Sequence, residues 1–265
     1  MLLKRIFSAL IGIPLLILIV FKGDPYIVLA IFLLILLALF EFRNIINNSQ
    51  CQALELLLWL SALLIPLFFL LEYNYILPIF SIYLIFSWCY YLVHSVHFTP
   101  LDLSYTLLGV LYILIGFTHL LLLRNFQDGF WLVMYVFIVV WSTDTGAYFT
   151  GLTIGKHKLA PLISPKKTWE GFVGGLIIGV LAAYIYSIYA PLAVGRGLSL
   201  LYIAPFVSLA GQIGDLFESS LKRFSKIKDS GEVIPGHGGI LDRFDSTLWA
   251  APITYYSLII LERLM

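Results

Sequence analysis

Apolar runs long enough to cross a bilayer recur along nearly the whole chain, and they limit what it can fold into. A membrane-spanning helix takes about 20 mostly apolar residues. On that rule the 265-residue sequence gives nine candidate spans, at 5–21, 25–42, 53–71, 75–93, 104–123, 130–150, 169–190, 199–217 and 246–262. A hydrophobic fraction of 61% and a charged fraction of 12%, against about 25% charged in soluble domains, exclude an ordinary soluble fold. The expected class is an all-α, polytopic membrane bundle of about nine helices. Lys4 and Arg5 precede the first apolar run as in a signal peptide, but no small-x-small cleavage site follows, so this run reads as a retained helix. Cys51 and Cys89 show neither metal nor redox spacing.

The cations give an orientation. With Lys4 and Arg5 in the cytoplasm, nine crossings place residues 43–52, 94–103, 151–168 and 218–245 on the inside, with twelve of the sixteen lysines and arginines. This agrees with the positive-inside rule and puts both long basic loops on one side. The net charge of +1 conceals this segregation, and no nucleic-acid partner is expected.

Against this apolar background the polar residues gather in a few places. Asp144 and Asp215 are carboxylates within apolar spans, where an ionisable group is costly and usually functional. Each sits in a glycine-containing segment, Ser142-Thr-Asp-Thr-Gly146 and Gly211-Gln-Ile-Gly-Asp215. Continuing the helix past Asp215 brings Glu218, Ser219 and Lys222 onto its face. Asp242 and Asp245 follow Gly236-His-Gly-Gly239, with Arg243 between them. Hard divalent cations favour carboxylate oxygens, and Mg²⁺ commonly takes one or two of them plus substrate phosphates. Asp215 and Asp242 are therefore the candidate metal ligands.

The glycines allow close backbone approach to an anion. His237 is open to phosphate binding, proton transfer or bracing the loop. Lys222, Arg223, Lys226 and Lys228 form a cationic run, which alone reads as a solvated face or a contact to anionic lipid. Between two candidate metal carboxylates it favours polyphosphate. The other basic loop adds Lys156, Lys158 and Ser164-Pro-Lys-Lys-Thr-Trp-Glu-Gly171, with Lys166 and Lys167 ahead of a helix that Thr168 is placed to cap. Gly171, Gly175 and Gly179 follow at four-residue spacing, a pattern for close helix packing within or between subunits.

Four blocks, Ser220-Leu-Lys-Arg223, Lys228-Asp-Ser-Gly231, Pro235-Gly-His-Gly-Gly239 and Asp242-Arg-Phe-Asp245, closely resemble the C-terminal motif of the CDP-diacylglycerol synthases, or phosphatidate cytidylyltransferases. Asp144-Thr-Gly-Ala-Tyr-Phe-Thr-Gly151 and Ser164-Pro-Lys-Lys-Thr-Trp-Glu-Gly171 extend the similarity, which covers about residue 140 to the C-terminus. The N-terminal half is similar only in hydropathy and length.

The resemblance implies a cell-membrane enzyme that converts CTP and phosphatidate to CDP-diacylglycerol and pyrophosphate, dimeric in the prokaryotic case, with its site facing the cytoplasm. It implies Mg²⁺, with a second metal ion left open. It implies Asp215 and Asp242 as metal carboxylates and Lys222, Arg223 and His237 as further catalytic residues. Asp144, Lys166, Lys167, Lys228, Gly238, Gly239 and Arg243 would bind substrate. On this reading residues 1–128 are N-terminal transmembrane helices and residues 129–265 the catalytic region. The alternatives are a CTP-dependent polyprenol kinase or related lipid cytidylyltransferase and, more distantly, a transporter with Asp144 and Asp215 as gating carboxylates.

Overall fold

A computed structural model describes residues 2–65, 67, 75–193, 195–231, 233 and 238–264, with side chains from residue 10 onward except those of 76, 262 and 264. Among the described residues it is a helical bundle with one small hairpin. The elements are α1 (Leu2–Lys22), α2 (Tyr26–Asn47), α3 (Glu55–Ala62), α4 (Ile76–Val93), α5 (Pro100–Arg124), α6 (Gly129–Ile154), β1 (Lys158–Ala160), β2 (Ser164–Thr168), α7 (Trp169–Tyr189), α8 (Arg196–Phe224) and α9 (Leu241–Leu264). Each of the nine expected spans contains a described helix, and α2, α5, α6, α7 and α8 are long and apolar enough to cross a membrane.

Where the helices approach most closely, small residues line the contact, as in lipid-embedded packing. In α7 the inward face carries Gly171, Gly175, Gly179 and Ala183, all buried. Its other side exposes Ile177, Leu181 and Ile188. A Cβ on Gly171 would come within 2.8 Å of the Ala147 carbonyl oxygen, and one on Gly175 within 2.8 Å of that of Thr143. The glycine stripe thus seats α7 directly on α6, within the subunit. Interhelical hydrogen bonds add to this packing. The Thr143 and Ser208 hydroxyls pair at 2.8 Å, the Tyr135 hydroxyl donates to the Leu200 carbonyl at 2.7 Å, and Gln212 Nε2 donates to the Phe172 carbonyl at 3.2 Å. One buried apolar core runs through both halves of the chain, from Val20 and Phe42 to Val207 and Leu258.

Two features depart from the sequence expectation. The 151–168 segment contains an antiparallel hairpin, with Lys158 opposite Thr168 and Ala160 opposite Ser164. Pro161 and Pro165 are unsuited to a helix interior but tolerated at a strand edge. The helices flanking the second basic loop are also longer than their apolar runs. α8 continues to Phe224, and α9 begins at Leu241 instead of residue 246. Asp242 and Asp245 therefore lie in the first turns of α9, not in a loop. At 1.5 Å per residue the 29 residues of α8 span about 44 Å, against about 30 Å of hydrocarbon. The helix is therefore longer than a straight crossing requires.

Candidate active site

The four segments expected on one side do meet at one end of the bundle. The Gln52 amide donates to Asp102 at 2.6 Å, Arg223 Nε to the Ile163 carbonyl at 3.1 Å, and the Ile240 amide to Glu41 at 2.7 Å. Tyr105 stacks on Phe224 with ring centroids 4.9 Å apart. Helix α7 starts here, with Thr168 accepting the Gly171 amide at 3.1 Å, as its sequence position predicts. Glu170 turns back to take His157 Nδ1 at 2.6 Å and the Lys156 amide at 3.1 Å, closing the base of the hairpin.

Five carboxylates from three helices gather at this end. Asp144 lies about 15 Å before the end of α6, and Asp215 about 14 Å before the end of α8. Packing glycines allow their approach. A Cβ at Gly214 would strike the Asp245 carbonyl oxygen, and one at Gly146 would come within 2.6 Å of Ile178. Asp144 interacts electrostatically with Asp215 and Lys167, and Asp245 with Asp215, Glu218 and Asp144. Glu218 is fully buried beside Asp245, and among the described residues its Oε1 has no donor.

Two lysines face this acidic group. Lys167, on β2, reaches Asp215 Oδ2 at 2.7 Å, so the hairpin and α8 form one site. Ser219 Oγ is a more distant donor to Asp215 Oδ1, at 3.3 Å. Lys222 lies between Glu218 Oε2 at 2.9 Å and Asp242 Oδ1 at 2.6 Å. It clamps the end of α8 to the start of α9 and points at carboxylates instead of out of the loop.

Asp242 Oδ2 accepts from the Ser230 amide at 2.9 Å and the Gly239 amide at 2.9 Å, with the Ser230 hydroxyl oxygen 3.1 Å away. Gly238 has φ of +82°, and a Cβ there would lie 2.7 Å from Asp242 Oδ2. The turn needs glycine both for its backbone and for the carboxylate's approach.

The remaining candidates are spread around this centre. Arg223 is exposed and braces the hairpin and the following turn, donating to the carbonyls of Ile163 and Ile227. Lys166, Lys228 and Arg243 are exposed at the same end. His237 lies outside the described residues. Sequence reasoning left Glu41 out altogether. It is buried on α2 and accepts hydrogen bonds from Ser230, Ile240 and Leu241. The available signal was an ionisable residue inside the 25–42 apolar span.

A family model described as the cytidylyltransferase family matches residues 3–261. The chain belongs to the cytidylyltransferase family. A phosphatidate cytidylyltransferase from Staphylococcus epidermidis is 35% identical over 257 residues, covering 94% of this chain and 96% of the relative. Bacillus subtilis has a phosphatidate cytidylyltransferase that is 47% identical over 162 residues, 61% of this chain and 60% of that protein. The protein of the same name from Staphylococcus saprophyticus is 46% identical over 156 residues, 59% of each chain. The matched region thus spans about 60% of the length of the Bacillus relative and nearly all of the S. epidermidis one.

Proposed function

We propose that this chain transfers the cytidylyl group of CTP to phosphatidate, giving CDP-diacylglycerol and pyrophosphate for phospholipid synthesis. The observation that carries the reading is the contact of Lys167 with Asp215. It joins a basic hairpin and the helix that carries Asp215 and Glu218 into one site at the end of a membrane bundle. There a soluble nucleotide and a lipid headgroup would have access together. The names of the relatives supply the substrate pair.

In the proposed reaction a phosphate oxygen of phosphatidate attacks the α-phosphorus of CTP. A new P–O bond forms, the bond from the α-phosphorus to its bridging oxygen breaks, and pyrophosphate leaves with that electron pair. The nucleophile is already anionic, so no strong base is required. Catalysis rests on positioning and on neutralising repulsion between two anions. Lys166, Lys167 and Lys228 would meet phosphate oxygens, and Arg223 would do so while bracing the hairpin. Gly238 and Gly239 would give the backbone close access to an anion, with Arg243 beside them. His237 would complete the loop. Asp144 would set the charge around Lys167. Lys222 would fix Asp242.

A divalent cation such as Mg²⁺ suits this donor set. Asp144, Asp215, Glu218, Asp242 and Asp245 outnumber Lys167 and Lys222, and Glu218 and Asp245 lie close enough to interact directly. Asp215 and Asp242 would hold the ion, Asp242 by giving up one of the hydrogen bonds it accepts from Lys222, Ser230 and Gly239. Among the described residues no three His, Cys, Asp or Glu side chains are placed to hold an ion alone. A Mg²⁺ site completed by substrate phosphates needs only one or two. When bound, the ion would take up negative charge on the phosphates and the leaving group.

The same reading places the site on the cytoplasmic face of the cell membrane, supported by the gathering of cations at this end. It assigns the reaction to residues 129–265 and support to residues 1–128, in a homodimer. Labelled CTP tests it against the kinase alternative. Label in the α-phosphate should enter lipid and label in the γ-phosphate should leave as pyrophosphate. Transfer of γ-label to lipid would overturn the proposal.

A further inference from the structure

Glu41 is 1% exposed and lies in the N-terminal half of the chain, far in sequence from every motif residue. Its Oε1 accepts the Ile240 amide at 2.7 Å, and its Oε2 accepts the Leu241 amide at 2.9 Å and the Ser230 hydroxyl at 2.9 Å. The first amides of a helix have no partner within it, and a negative group there also favours the helix dipole. Glu41 therefore caps α9 from another helix.

The segment around it is shaped to admit the carboxylate. A Cβ on Gly231 would come within 2.9 Å of Glu41 Oε1, and one on Gly239 would strike Glu41 Oε2 and Ser230 Oγ. The Ser230 hydroxyl lies within hydrogen-bond distance of both Glu41 Oε2 and Asp242 Oδ2. One hydroxyl thus links the buried carboxylate of α2 to the reactive-site carboxylate of α9.

We infer that Glu41 is a positioning residue for the cytidylyl-transfer site, holding the Ser230 and Gly239–Leu241 backbone so that Asp242 is presented in register with Asp215. The inference rests on the proposed function for its catalytic consequence. Its structural part stands on the hydrogen bonds alone. Without Glu41, the Ile240 and Leu241 amides lose their acceptor, while Asp242 keeps Lys222 and the Gly239 amide. The predicted defect is a misplaced carboxylate, with the bundle intact. A displacement of about 1 Å at a reacting centre costs on the order of 100-fold in rate.

The test uses the full-length protein in detergent micelles, comparing Glu41→Gln, Ser230→Ala and the double variant with the parent. Glu41→Gln keeps the side-chain volume but sets an amide donor against backbone donors. The expected result is a fall in kcat of about 10- to 100-fold, with KM for CTP and for phosphatidate changed by less than about threefold. The double variant should be no worse than the more impaired single one, as expected of residues in one network. Hydrogen exchange should rise in peptides covering 229–245 and stay unchanged in those from α6 and α7. Turnover within about twofold of the parent would overturn the inference, as would exchange increases spread across all helices. If the parent itself makes no CDP-diacylglycerol, the proposed activity fails, while the exchange pattern still reports on Glu41.

Discussion

Lys167 and Asp215 meet at 2.7 Å, with side chains 26% and 32% exposed, whereas Lys222 is 12% exposed between Glu218 at 0% and Asp242 at 8%. The two lysines make similar contacts in very different surroundings, and their variants should behave differently. A partly solvated pair contributes little stability, roughly 0–1 kcal/mol. Lys167→Met should therefore melt near the parent temperature while losing about 100-fold or more in turnover, if the proposed role of Lys167 against substrate phosphate holds. Thermal unfolding and initial rates on the same preparation check this. A large loss of stability would reassign Lys167 to the scaffold.

Removing Lys222 should damage the fold itself. Lys222→Met leaves two buried carboxylates without their cation, and breaking such a buried pair costs about 3–5 kcal/mol. The variant should unfold at a clearly lower temperature in detergent, in addition to being inactive. Melting at the parent temperature would show that the clamp between α8 and α9 carries no stability.

The glycine stripe of α7 gives a third expectation. Gly175→Val would push α7 away from the Thr143 carbonyl oxygen, a backbone atom that cannot swing aside. Overpacking of this kind costs about 1–3 kcal/mol and would displace the neighbouring Asp144. Ile177→Val, on the exposed side of the same helix, should be close to neutral. Melting temperatures for the two variants should separate accordingly, and equal effects would contradict the packing of α7 on α6.

Gly238 tests the turn ahead of α9. Its φ of +82° lies in the left-handed region, which costs other residues roughly 1–2 kcal/mol, and Asp242 Oδ2 occupies the space a Cβ would need. Gly238→Ala should lower kcat by about tenfold or more with only a modest fall in melting temperature. Parent-like turnover would show that the turn does not set Asp242.

The helical architecture was legible because each span must be apolar over a membrane's thickness, and the gathering of basic segments followed from their charge. Thr168 was readable as a cap from its place before an apolar helix. The hairpin was not, since strands of three and five residues carry too little periodic signal. The start of α9 was missed because hydropathy registers apolar residues, whereas α9 opens on Leu-Asp-Arg-Phe-Asp with its amides capped by Glu41. That partner lies 199 residues earlier in the chain, beyond any local pattern. The ion pairs depend on the same long-range packing. Spacing along α8 puts Lys222 near Glu218, but only the crossing of α8 with α9 adds Asp242.

Cytidylyl transfer at a site built on Asp215 and Asp242 is checked by incubating the purified protein with Mg²⁺, CTP and phosphatidate and measuring CDP-diacylglycerol and pyrophosphate together. Both products are expected in equal amounts, and both should be lost in Asp215→Asn and Asp242→Asn proteins that still insert into membranes. A folded parent protein that forms neither product, or an Asp215→Asn protein with near-normal turnover, would contradict it.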